Sequence, residues 1–102
     1  MAETLTTFDM AELLTSDEAI SEYLSQVLAD GDNEEFLRAV GYVAKARGMT
    51  KIANDAGVGR ESLYKAFSPG AKPRFETVLK VLHSLGIDLF ARAGHVANHT
   101  TV

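Results

Sequence analysis

The residues best equipped for chemistry lie between positions 57 and 67. On a short helix, Arg60, Glu61, Ser62, Tyr64 and Lys65 point outward, while Leu63, Ala66 and Phe67 take the opposite side. The outward groups suit hydrogen bonding to base edges. Arg60 carries a planar fork that matches the O6 and N7 acceptors of guanine. Ser62 can serve a base or a phosphate. Two readings stay open for Glu61: it accepts from a cytosine amino group, or it pairs with a neighbouring basic side chain. Tyr64 offers its ring edge to a thymine methyl or its hydroxyl to a phosphate, the alternative being partial core packing with an exposed hydroxyl. Groups suited to phosphates surround this stretch. Thr50 and Lys51 open the preceding helix, whose first N–H groups point toward an anion. Arg47, Lys72 and Arg74 flank it. Contacts of this second kind position a protein on a duplex without specifying its sequence.

A helix–turn–helix unit would hold these groups in place. It needs a small residue where two helices cross and a residue that tolerates positive φ in the turn. Ala53 and Gly57 supply them, four positions apart, and Val58 plugs the turn. Ile52 and Ala56 face inward from the first helix, Leu63 and Ala66 from the second. The motif spans residues 49–67, with 60–67 as the recognition helix. A plain helical hairpin is the other reading, but it rarely combines the small residue, the glycine and the plug in one register.

The remaining elements also read as helices. Thr15 and Glu18 form a capping box ahead of an amphipathic stripe of Ile20, Tyr23, Leu24, Val27 and Leu28, which Gly31 ends as a left-handed stop. Asp32 caps a second helix, with Phe36, Leu37, Val40, Val43 and Ala44 inward and Lys45, Arg47 and Gly48 at its end. Short helices are expected over 50–56 and 60–67, then a loop over 68–72. Pro73 suits the first turn of a last helix with Phe75, Val78, Leu79, Leu82 and Leu85 buried and Gly86 as its stop. Residues 10–14 suit a helical turn. Residues 6–10 and 87–91 suit short extended segments that either pair between subunits or close the core. The expectation is an all-α bundle of five helices: an N-terminal arm over 1–14, one domain over 15–92 and a mobile tail over 93–102.

The 102 residues include no cysteine, which excludes disulfides, thiolate zinc sites and a cysteine nucleophile. The chain has neither an apolar run of about 20 residues nor a secretory leader pattern, so a soluble cytoplasmic protein without a membrane partner is expected. The net charge of −4 conceals a polarity. Residues 1–37 carry ten Asp and Glu and no Lys or Arg, whereas residues 38–102 carry all ten bases and four acids. Opposite charge in two regions hints at two different partners, the other reading being a solvated acidic face. An enzyme is disfavoured and no cofactor is expected. His83, His95 and His99 form no ligand set, and Gly57-Val58-Gly59 follows no strand, so it is not a dinucleotide-binding turn.

Three segments resemble one family closely. They are Ala-Arg-Gly-Met-Thr-Lys-Ile-Ala at 46–53, Gly-Val-Gly-Arg-Glu-Ser-Leu-Tyr-Lys-Ala-Phe-Ser-Pro at 57–69 and Pro-Arg-Phe-Glu-Thr-Val-Leu-Lys-Val-Leu at 73–82. Phe8-Asp9, Glu22-Tyr23-Leu24 and Ala29-Asp30-Gly31-Asp32 extend the likeness over residues 8–92. The family is the addiction-module antidote proteins, HigA-like antitoxins with a λ-repressor/Cro-type helix–turn–helix. Lys72 departs from the small polar residue that the family carries there, adding a candidate phosphate contact.

The resemblance implies a λ-repressor-like bundle and a type II antitoxin. Such a protein silences a small HigB-like toxin of the RelE/ParE superfamily and represses its own operon on double-stranded operator DNA, usually as a homodimer. Toxins of that class tend to be basic because they hold RNA. The acidic third would complement one, with Asp17, Glu18, Glu22, Glu34 and Glu35 as the candidate toxin-facing residues. A stand-alone or phage-type Cro/C1-like repressor is the alternative, and an interaction module without DNA binding is the third reading.

Overall fold

Helix-start chemistry sets the first element. Ser16 adopts an extended conformation and its Oγ accepts from the Ala19 N–H at 3.0 Å, opening α1 (Asp17–Asp30). The cap is therefore Ser16 and not Thr15, and Glu18 falls one position short of a capping box. Asp32 caps α2 (Asn33–Arg47) as expected, accepting from the Glu35 N–H at 2.8 Å. The other elements are α3 (Met49–Ala56), α4 (Arg60–Ala66) and α5 (Phe75–Ser84). This computed structural model describes residues 16–93, and among the described residues there are five helices and no strand. The readings made for 1–14 and for the end of the chain from 94 onward lie outside the described residues. No helix among the described residues is long and apolar enough to cross a membrane.

α2 and α3 form the centre. α2 buries Phe36, Ala39, Val40, Gly41, Val43 and Ala44, while α3 contacts α2, α4 and α5 and buries Met49, Ile52, Ala53 and Ala56. α1 covers α2 from outside with a narrow stripe, in which Ile20 and Leu24 are buried and Tyr23 and Val27 half-buried. Leu28 lies beyond the edge of that contact and is 51% exposed, contrary to its expected burial. Among the described residues, none that is polar or charged is buried. Burial of apolar surface is thus the principal stabilising term of the core.

Three further expectations are corrected. Gly31 is extended (φ −98°, ψ 178°) rather than left-handed. Any residue adopts this backbone; a Cβ there would displace the flexible Glu35 carboxylate, 2.6 Å away, and sit tightly at 3.0 Å from the Val27 carbonyl. Pro73 precedes the extended N-cap Arg74 instead of occupying the first turn of α5. Phe75 therefore opens that helix one turn before its first core residue, Val78, and stands 66% exposed while Val81 fills the core. Residues 87–91 form no strand, while Ile87 takes the core-closing role that was the other expectation for this segment. Gly86 is left-handed at φ 79°, and the Ile87 N–H bonds to the Leu82 carbonyl at 2.9 Å and the Gly86 N–H to His83 at 3.0 Å. This closure folds Ile87 back onto the core, where it is buried.

Candidate functional site

Local chemistry builds the connection between α3 and α4. Gly57 takes the left-handed conformation (φ 73°, ψ 32°), where a Cβ is disfavoured. The Val58 N–H then reaches the Ala53 carbonyl at 3.0 Å and the Gly57 N–H reaches Asn54 at 3.2 Å, closing the end of α3. Gly59 is extended and begins α4. Val58 is half-buried against the core and Ala53 is buried at the crossing. Leu63 is fully buried and is the one buried residue of α4. It anchors the helix, with Ala66 and Phe67 half-buried on the same side.

Arg60, Glu61, Ser62, Tyr64 and Lys65 are all exposed on the free face of α4. The Arg60 guanidinium carbon sits 5.3 Å from the centroid of the Tyr64 ring, one helical turn away. Among the described residues neither Arg60 nor Glu61 forms an ion pair. Glu61 therefore has no basic partner within the described fold. Tyr64 also lines a groove between α2 and α4 together with Arg38, Tyr42, Lys45, Phe67 and Pro69. One wall of that groove depends on Gly41, where a Cβ would fall 2.9 Å from the Cβ of Phe67. A helix-interior glycine costs about 1 kcal/mol of propensity, which signals a reason for it but not which residue approaches, so the contact with Phe67 was not legible from the sequence.

The residues suited to phosphates divide into two groups. Arg47 donates to Asp17 Oδ1 at 2.8 Å, tying the end of α2 to the first turn of α1. Lys51 donates to Asp55 at 2.9 Å along α3. Thr50 is exposed in the first turn of α3, whose N-cap Gly48 has no side chain to satisfy the N–H groups. Lys72 and Arg74 are exposed and make no ion pair among the described residues. Arg74 is the N-cap of α5, again without a side-chain cap bond. The helices that start in the acidic region are capped by side chains, and those that start in the basic region are not.

The acidic candidates are only partly brought together. Asp17, Glu18 and Glu22 line a groove between α1 and the segment after α5, whose other wall carries Ile87, Asp88 and Phe90. Glu34 and Glu35 line two different hollows. Asp88 and the 82% exposed Phe90 were not expected here, because only the turn at Gly86 carries them back beside α1. Between α1 and α2, Tyr23 has its phenol pKa raised above the ordinary 10.0, first by burial and then by Tyr42 and Glu35 alongside.

A family model described as probable addiction module antidote protein matches residues 4–93 of the chain. A protein of Haemophilus influenzae, described as uncharacterized, is 48% identical over 87 residues, covering 85% of this chain and 90% of the relative. No solved structure matches. With nearly its whole length matched by the family model and a relative at this identity, the chain belongs to the family of probable addiction module antidote proteins.

Proposed function

We propose that the chain is a HigA-like type II antitoxin that binds a small basic toxin through its acidic side and represses its own operon through α3 and α4. Family membership supports the toxin partner, since an antidote requires something to neutralise. The arrangement of α3, the left-handed Gly57 and α4 carries the DNA-binding half. It matches the requirements of a λ-repressor-type helix–turn–helix, in which the second helix enters the major groove.

On this reading α4 presents Arg60, Ser62 and Lys65 to base edges and the adjoining phosphates, and Glu61 is free to accept from cytosine. Thr50 with the uncapped start of α3, and Lys72 with Arg74 beside α5, hold phosphates on either side. Lys51 exchanges Asp55 for a phosphate at little expense, since an exposed pair of this kind contributes only about 0.3–0.5 kcal/mol. Arg47 is engaged by Asp17, so its main role is to brace α1 against α2. A homodimer would place two such helices on half-sites about 34 Å apart. The activity is binding rather than catalysis, and a cytoplasmic location fits partners of this kind.

The toxin-facing surface is assigned to the groove of Asp17, Glu18, Glu22 and Asp88, with Phe90 as an apolar anchor at its edge. A basic protein complements this charge, and a buried aromatic is a common source of interface affinity. Co-purification with the small protein encoded beside it, followed by titration of the complex and of the free chain onto promoter DNA over a salt series, tests both halves. A stable complex and a steep loss of DNA affinity with salt are expected. DNA binding without a complex would favour a stand-alone or phage-type repressor. A complex without DNA binding would leave an interaction module.

A further inference from the structure

We infer that Tyr64 is a positioning residue for Arg60, holding its guanidinium ready for a guanine rather than reading a base itself. The inference rests on the reading of α4 as the DNA-reading helix. Arg60 opens α4 and Tyr64 lies four residues on, so the two side chains meet on one face of the helix. The guanidinium carbon is 5.3 Å from the ring centroid, within the roughly 6 Å over which a cation is attracted to an aromatic face. No carboxylate among the described residues competes, because Arg60 makes no ion pair there. Tyr64 in turn borders the groove that Tyr42, Phe67 and Pro69 also line.

A free arginine side chain samples many rotamers, most of which aim its fork away from the two guanine acceptors. A stacked one has its plane and direction chosen before DNA arrives, and less freedom is lost on binding. The ring face, not the hydroxyl, does this. Tyr64→Phe should therefore behave as the native chain does, and Tyr64→Leu should not. The stack at an exposed site corresponds to about a 2- to 5-fold effect on affinity. Its loss should fall on guanine discrimination more than on binding in general, because phosphate contacts are untouched.

The test uses duplexes enriched by the native full-length chain from a random pool, with each guanine replaced in turn by 7-deazaguanine, which lacks the N7 acceptor. Native protein and Tyr64→Phe should lose affinity at one particular guanine in each half-site. Tyr64→Leu should bind the unmodified duplex about 2- to 5-fold more weakly and show a reduced deaza penalty. Arg60→Ala should show no penalty at that guanine, and adding Tyr64→Leu to it should change nothing further. Independently of DNA, the Arg60 δ-protons should carry a ring-current shift that survives Tyr64→Phe and disappears in Tyr64→Leu.

Native affinity and a native penalty in Tyr64→Leu would overturn the inference. So would an equal loss from Tyr64→Leu in the Arg60→Ala background, since Tyr64 would then touch DNA itself. A Phe variant as weak as Leu would also overturn it, by placing the effect on the hydroxyl. If no duplex is enriched, or Arg60→Ala binds all duplexes as the native chain does, the reading of α4 fails and this inference with it. That outcome is recognised by an Arg60 ring-current shift that persists without any effect on DNA.

Discussion

Replacing Gly57 by L-alanine isolates a single physical term. The residue sits at φ 73° and ψ 32°, where an L side chain costs roughly 1–2 kcal/mol. A Cβ built there meets no atom within 4 Å, so no collision adds to that cost. Alanine also narrows the unfolded ensemble, which returns about 0.4–1 kcal/mol. The net expectation is a loss near 1 kcal/mol, or about 4–8 °C in Tm for a domain of this size. D-alanine has the mirror preference and should stabilise by about 0.4–1 kcal/mol with no strain, because only the unfolded-state effect remains. Asparagine, which tolerates the left-handed region better than alanine, should fall between glycine and L-alanine. Urea unfolding of the four chains, the D-residue introduced by chemical ligation, reads the differences as shifts in midpoint at constant m-value. If L- and D-alanine move the midpoint in the same direction, the turn does not depend on the backbone conformation described here.

Gly41→Ala probes the opposite case, a helical glycine kept for space. Alanine gains about 1 kcal/mol of helix propensity, but its Cβ would lie 2.9 Å from the Cβ of Phe67. Overpacking of that kind costs about 1–3 kcal/mol, so thermal melts should show a loss, and a raised Tm would contradict the close contact. Reversing Glu18, Glu22 and Asp88 to Lys should weaken toxin binding at least tenfold by calorimetry and leave DNA binding intact or stronger. The same reversal at Glu34 and Glu35 should have a smaller effect, since they lie outside that groove. Lys72→Ala should lower the slope of log affinity for promoter DNA against log salt by about 0.9 for each half-site, whereas Arg47→Ala should act mainly on stability, through Asp17. Tyr23 has a folded pKa above its ordinary 10.0. The stability gained from keeping it neutral is complete below that value and is lost as pH rises through the folded pKa. Tyr23→Phe should accordingly unfold less readily than the native chain above pH 10 in alkaline titrations.

Much of the fold was legible because its signals are short-range. Asp32 three residues before Glu35, Gly57 before Val58, and Gly86 before Ile87 are caps and turns decided within five or six residues. The periodic stripes of α2 and α3 likewise identified most of the buried residues. Most errors fell at the ends of elements, although Gly41 and Val81 were missed inside helices. Ser16 took the cap from Thr15, an adjacent hydroxyl of the same chemistry, and α5 starts after an extended Arg74 with Pro73 left outside the helix. Leu28 and Phe75 follow a helical stripe but lie past the last neighbour able to cover them, and periodicity does not show where a neighbour ends. On α4, spacing identified the outward set, whereas the stacking of Arg60 on Tyr64 required coordinates, because the same spacing permits either rotamer.

The sequence by itself determined the five helices, the glycine turn between α3 and α4, and the separation of an acidic region from a basic one. Each follows from residue type and near-neighbour spacing, which act before the chain is packed. Only the tertiary structure decided which charges share a surface. Asp17 reaches Arg47 across 30 positions, and Gly86 returns Asp88 and Phe90 to the side of Glu18 and Glu22. Glu34 and Glu35, equally acidic and closer in sequence, were left on other faces. Such groupings depend on the angles at which helices cross and on where the chain turns back. Those are set by the whole core at once, not by any one segment.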